Sequence, residues 1–160
     1  MGSGKTTIGK ILSKKLNIPF IDLDEYIEKK EQLSINEIFT TKGEIYFRKQ
    51  EHLFFKELLQ SRETFVLSLG GGTPCYANNH LLLQSDVADS FYLKAKVSTL
   101  VDRLKNEKEN RPLLQTTDDL ASYIGQHLFE RVYYYNFAQY KINTDLKDFE
   151  IICNEIISLT

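Results

Sequence analysis

Four short runs of apolar, β-branched and aromatic residues, at 18–23, 64–69, 90–95 and more weakly 141–144, alternate along this chain with stretches of helical spacing. The runs have the length and flanks of buried strands. The stretches between them repeat apolar residues three and four apart: Ile8, Ile11, Leu12 and Leu16; Phe47, Phe54, Phe55, Leu58 and Leu59; Val97, Leu100, Val101 and Leu104; Phe149, Ile152, Cys153, Ile156 and Ile157. Each set lays one apolar stripe along a helix. Such alternation predicts an α/β three-layer sandwich, a parallel sheet covered on both faces, with ligands at the carboxyl ends of its strands. Ser34 and Glu37 form a capping-box pair that opens one further short helix. No linker, repeat or low-complexity tract interrupts the 160 residues, so one domain over 1–160 is expected.

Charge narrows the partners. Twenty Lys and Arg against twenty-two Asp and Glu leave a net charge of −2, with a pI near 5.9, so the chain has no global pull toward nucleic acid or an anionic membrane. Any anion must be held locally. An apolar content of 42% with 26% charged residues excludes an extended disordered chain. No apolar run approaches the roughly 18 residues of a membrane span. Cys75 and Cys153 make neither a disulfide framework nor a metal pattern, and a reducing cytoplasm is the expected location.

One local anion site is written at the amino terminus. Gly2-Ser3-Gly4-Lys5-Thr6-Thr7 matches the end of the P-loop pattern G-x-x-x-x-G-K-[ST], directly before a helix. Glycines let successive amides turn toward phosphate oxygens, and the helix amino end adds partial positive charge. Lys5 then reaches the outer phosphates, and Thr6 offers a hydroxyl to Mg²⁺. The bland alternative is a solvated Gly/Ser-rich terminus ahead of an ordinary helix. The pattern's first glycine would fall two positions before Met1, as would the strand that feeds the loop. A strand carrying about five core side chains at roughly 1.5–3 kcal/mol each matches the whole net stability of a domain, about 5–15 kcal/mol. Four of an expected five strands are therefore read here, the chain so begun is expected to fold poorly, and the upstream reading frame is expected to encode the missing segment.

The remaining motifs read as an acceptor side. Asp22 and Asp24 stand two apart where the first strand run ends, a spacing that points both side chains to one face of a pleat. Beside a P-loop, one carboxylate can fix the magnesium shell while the other takes a proton from an acceptor hydroxyl. Surface-turn aspartates are the alternative. Gly70-Gly71-Gly72 closes the second strand run and either admits a ligand to the bare backbone or simply makes a tight turn. Arginine discriminates better. Only Arg48, Arg62, Arg103, Arg111 and Arg131 occur, against fifteen lysines, so each arginine is read as chosen for its planar fork. A carboxylate or phosphate is the natural guest.

Taken together these pieces resemble the shikimate kinase family, P-loop enzymes that phosphorylate the 3-hydroxyl of shikimate with ATP in aromatic amino acid biosynthesis. The resemblance runs through GSGKTT and Asp22-Leu23-Asp24, then SINEIF with Gly43-Glu44-Ile45-Tyr46-Phe47-Arg48 and Glu51 after it. It continues through SLGGG at 68–72, Arg111-Pro112-Leu113-Leu114 and Arg131 in FERVYYY, and so covers essentially the whole chain. It implies a shikimate-binding segment at about 24–52 and a lid at about 106–119. Asp24 would hold the shikimate hydroxyls and serve as base, with Asp22 and Thr6 on Mg²⁺. Arg48 and Arg131 would clamp the shikimate carboxylate, aided by Gly71 and Gly72. Phe39 and Phe47 either pack on the ring or serve the core. Arg111 would contact ATP phosphates from the lid, with Lys5 as the other catalytic cation, while Gly2 to Thr7 and Arg103 would bind ATP.

The family's adenine contact has no certain match, Lys147 being a weak candidate. Tyr133 to Tyr135 read as helix packing, and His52, His80 and His127 carry no assigned role. The resemblance further implies a monomer. Two rivals stand beside it: a related small-molecule kinase of the nucleotide or gluconate type, and a non-catalytic, amino-terminally truncated relative that binds ligand without turnover.

Overall fold

A computed structural model describes residues 2–105 and 119–160. Arg111 and positions 106–118 of the expected lid lie outside the described residues. The predicted elements are present at the predicted places. Helix α1 (Lys5–Leu16) ends where Asn17 adopts a left-handed conformation, and the chain then enters β1 (Phe20–Asp22). Three helices follow, α2 (Leu23–Glu31), α3 (Ile35–Thr41) and α4 (Glu44–Leu59), before β2 (Val66–Ser68). The capping box at α3 is formed as read: Ser34 Oγ accepts from the Glu37 amide at 3.2 Å, and the Glu37 carboxylate accepts from the Ser34 amide at 2.8 Å. After a 3₁₀ turn (Thr73–Cys75) come α5 (Asn79–Leu82), β3 (Phe91–Lys94), α6 (Val97–Lys105), α7 (Leu120–Tyr135), β4 (Tyr140–Asn143) and α8 (Phe149–Ile157). Among the described residues no helix is long and apolar enough to cross a membrane.

All strand pairing is parallel, as the alternation predicts, but the single sheet expected from it is divided. Strand β1 pairs with β2, Phe20 opposite Val66 and Asp22 opposite Ser68; β3 pairs with β4, Phe91 opposite Tyr140 and Lys94 opposite Asn143. Among the described residues no ladder joins β2 to β3. Side chains join them instead. Ile8 and Leu12 of α1, Ile142 of β4, and Ile152, Cys153 and Ile156 of α8 form one buried cluster against which Val66 of β2 and Phe91 and Leu93 of β3 pack. With about 1.5–3 kcal/mol for each fully buried large apolar side chain, this layer outweighs the few ladder bonds that three- and four-residue strands supply.

A second cluster, Leu23, Ile27, Ile38, Phe47, Phe54, Phe55, Leu58 and Leu83, locks α2, α3 and α4 together on the side of β1 and β2. Its consequence is positional. The carboxyl ends of β1 and β2 lie side by side, so Asp22 and the triple-glycine segment emerge together, with α4 fixed across from them.

Candidate active site

The expected phosphate-binding side begins at Gly4, which adopts φ +87° as the residue before α1, with Gly2 also left-handed at φ +69°. Only glycine takes such angles freely. A Cβ on Gly4 would also come to 3.2 Å from the Phe149 ring. Gly4 contributes no side chain to the first-turn amides, and no acidic residue stands in that turn, so an anion meets open N–H groups and the positive end of a twelve-residue helix. Arg103 braces this loop. Its Nη1 donates to the Ser3 carbonyl at 3.5 Å and to Thr144 Oγ1 at 3.3 Å, and its Nη2 donates to the Thr144 carbonyl at 2.7 Å. Thr7 is exposed on α1. Lys147, the weak adenine candidate, pairs with Glu155 at 2.5 Å.

Thr6 Oγ1 donates to Asp22 Oδ2 at 3.5 Å, bringing the two expected metal-holding groups together. Both are hard oxygen donors. One hydroxyl and one carboxylate suit Mg²⁺, which keeps several waters and is bound by one or two protein groups plus substrate phosphates.

Asp22 and Asp24 do not share the strand face that their spacing predicts. Asp24 lies in the first turn of α2, and Asp22 is the residue that caps this helix, its Oδ1 accepting from the Asp24 amide at 3.1 Å. The two carboxylates still meet, through a helix cap instead of a strand face. Burial, followed by the negative charges of Asp22 and Glu51, pushes Asp24 up from 3.8 to about 6 against the opposing pull of Lys5. A Cβ on Gly70 would stand 3.2 Å from both Asp24 Oδ1 and Thr73 Oγ1, so the glycine turn is the wall beside this carboxyl.

Arg48 projects from α4 toward the same turn. Its Nη1 donates to Glu51 Oε2 at 2.9 Å and its Nε to Glu44 Oε1 at 3.4 Å. The guanidinium carbon lies 4.0 Å from the Tyr76 ring centroid and 5.0 Å from that of Phe47. A Cβ on Gly72 would approach both Nη atoms to 3.0 Å, and only glycine leaves the fork this room. Burial works against the charge, yet the hydrogen bond and charge of Glu51 hold Arg48 above its ordinary value. Phe39 and Phe47 meet at 4.7 Å beside it.

Arg131 comes from α7. Burial raises the Cys75 thiol, and the Arg131 and Arg48 guanidiniums both oppose that rise, which puts the two arginines around one side chain. Tyr135, one turn beyond Arg131, donates to the Gly71 carbonyl at 2.7 Å and packs 5.2 Å from Tyr92, tying α7 to the glycine turn. Reading Tyr133 to Tyr135 as packing alone therefore missed a site contact. Glu51, Thr73, Asn79 and Tyr76 were likewise given no role. For Glu51 a signal existed, three residues after Arg48 on a helix; for the others it did not.

Known proteins share this chain's sequence and fold. A family model described as shikimate kinase matches residues 1–160. The chain is 54% identical over 155 residues to a shikimate kinase of Flavobacterium psychrophilum, covering 95% of this chain and 90% of that protein. The crystal structure of shikimate kinase from Bacteroides thetaiotaomicron superposes with a TM-score of 0.90 at 38% identity, over 99% of this chain and 93% of that one. A shikimate kinase from Acinetobacter baumannii, solved in complex with shikimate, matches with a TM-score of 0.84 at 34% identity, over 99% and 87% of the two chains.

Proposed function

This chain belongs to the shikimate kinase family and has its P-loop NTPase-like fold, and it transfers the terminal phosphoryl group of ATP to the 3-hydroxyl of shikimate; we propose that Lys5, Asp24, Arg48 and Arg131 are the groups that align and stabilise that transfer. Phosphoryl transfer asks little covalent chemistry of a protein, so the rate comes from holding hydroxyl and phosphate in line and offsetting charge. Gly2 to Thr7 cradle the phosphates, Lys5 offsets charge on the transferred group, and Arg103 keeps the loop in shape from behind. Arg111 adds a second cation from outside the described residues. Thr6 and Asp22 would hold Mg²⁺ together with the phosphates, and the ion would supply further neutralisation.

Arg48 and Arg131 grip the shikimate carboxylate, with Gly71 and Gly72 leaving the backbone bare beside it, and this remote binding fixes the ring so that its 3-hydroxyl faces Asp24. The observation that carries the reading is Asp24 itself. A carboxyl at about 6, walled by the glycine turn and within reach of the P-loop lysine, ionises just below neutral pH and is matched to accepting a hydroxyl proton. The same reading has the chain acting as a cytoplasmic monomer, with ATP and shikimate as its partners.

ADP release measured with and without shikimate tests the proposal. Turnover that depends on shikimate, and is lost with nucleoside or gluconate acceptors, is the expected result; shikimate binding without ADP release would overturn it. The pH profile tests the base. Because Asp24 must be ionised to accept a proton, kcat/KM for shikimate is expected to rise with pH through an acid limb and then level off, and Asp24→Asn is expected to lose that limb. An acid limb unchanged in the residual activity of Asp24→Asn would remove Asp24 from that role.

A further inference from the structure

Three polar side chains with no direct part in this chemistry lie buried between α4 and the loop after β2: Glu51, 1% exposed, and Thr73 and Asn79, each 0%. Burying a carboxylate, a hydroxyl and an amide is unfavourable unless each finds a partner, and here each does. Thr73 Oγ1 donates to Glu51 Oε1 at 2.6 Å, while Glu51 Oε2 accepts from Arg48 Nη1 at 2.9 Å. Asn79 Nδ2 donates to the Thr73 carbonyl at 2.9 Å, and Asn79 Oδ1 lies 2.6 Å from His52 Nδ1.

The direction of every bond is fixed by chemistry. A carbonyl only accepts, so the Asn79 nitrogen faces Thr73 and its oxygen faces His52, which must then carry a proton on Nδ1. At the far end, the one hydroxyl hydrogen of Thr73 is committed to Glu51.

That last bond bears on the substrate. A carboxylate facing a guanidinium frequently takes two parallel bonds, and the terminal torsion of a glutamate turns easily. The bond to Thr73 holds that torsion, and in the structure Glu51 meets the Arg48 Nη atoms through Oε2 alone. We infer that Thr73, seated by Asn79 and His52, is a positioning residue that stops Glu51 from capturing the Arg48 fork, and so keeps the remaining N–H groups of Arg48 turned to the substrate carboxylate. The inference rests on the reading of Arg48 as a carboxylate clamp.

Steady-state kinetics on Thr73→Val and Thr73→Ser, with shikimate and with its neutral carboxamide, test both steps. Valine keeps the shape and removes the hydroxyl. It is expected to raise KM for shikimate about tenfold while kcat and KM for ATP stay within about twofold of wild type. Serine should restore wild-type behaviour, and the carboxamide, which carries no charge for the fork to meet, should show no difference between Thr73→Val and wild type. An equal rise in KM for shikimate and carboxamide, a parallel rise for ATP, or a serine variant no better than valine would overturn the inference. A wild-type enzyme that uses the carboxamide as well as shikimate would overturn the clamp reading instead. Should Thr73→Val not fold, His52→Ala, at the half-buried end of the chain of bonds, is expected to show the same pattern at about threefold; no selective rise in KM for shikimate would sink the inference equally.

Discussion

Asp24→Asn is expected to lower kcat by about 10²–10⁴ while making the folded protein more stable at neutral pH. The two effects have one cause. Asp24 is raised from 3.8 to about 6 by burial first and by the charges of Asp22 and Glu51 next, so the native state prefers its protonated form. Between those two values the native state binds more protons than the unfolded chain, and stability falls as pH rises. Below about 4 Asp24 contributes no difference; above about 6 its ionisation weakens the fold by a constant amount, on the order of 3 kcal/mol at most. Asparagine keeps the shape, carries no charge and cannot accept the hydroxyl proton. Urea unfolding should therefore show Asp24→Asn ahead of wild type at pH ~7.5 and level with it near pH ~4, with turnover lost at both. A rate within about a factor of two of wild type would end the case for Asp24 as base, and a stability difference independent of pH would mean that charge is not what the site resists. Trading stability for a poised group in this way is a recurrent property of active sites.

How far such a site could be read in advance depends on the range of the signal that specifies each part. Val66–Ser68 falls inside the run at 64–69 and Phe91–Lys94 inside 90–95, because strand and helix periodicities are local. The capping box at Ser34 is equally local, and it formed as read. Asp22 and Asp24 fit both a strand end and a helix start. The deciding clue was Glu25, three residues after Asp22 in an acid-rich first turn, a helix-opening signature that outweighs alternation. The break between β2 and β3 had no local signal, since pairing joins residues distant in the chain. The same limit hid Thr73 and Asn79. Their partners lie 22 and 27 positions away, and as letters they look like any polar surface residue. Arg48 and Glu51 could be paired by helical spacing, but that the Glu51 carboxylate would be almost wholly buried depends on the turn packed over it.

The buried partner of that pair makes Arg48→Lys the substitution with the sharpest expected signature: KM for shikimate raised about 10- to 100-fold, with KM for ATP within about twofold of wild type. The choice of lysine matters. Arg48→Ala would leave Glu51 as an unpaired charge 1% exposed, and breaking a buried pair costs about 3–5 kcal/mol, so lost binding could not be told from lost folding. Lysine keeps a cation for Glu51 and isolates the role of the fork. An ammonium has no rigid plane to lie against Gly72 and Tyr76, and it cannot serve Glu51, Glu44 and a substrate carboxylate through separately directed N–H groups. The nearest and most deeply buried of these acceptors, Glu51, takes the ammonium, and the substrate loses its partner. ATP meets none of these atoms in the proposed site, since its phosphates lie with Lys5 and the amino end of α1. Initial rates with each substrate varied against saturating levels of the other separate the two constants, and equal damage to both would place Arg48 in the scaffold and not in the carboxylate clamp.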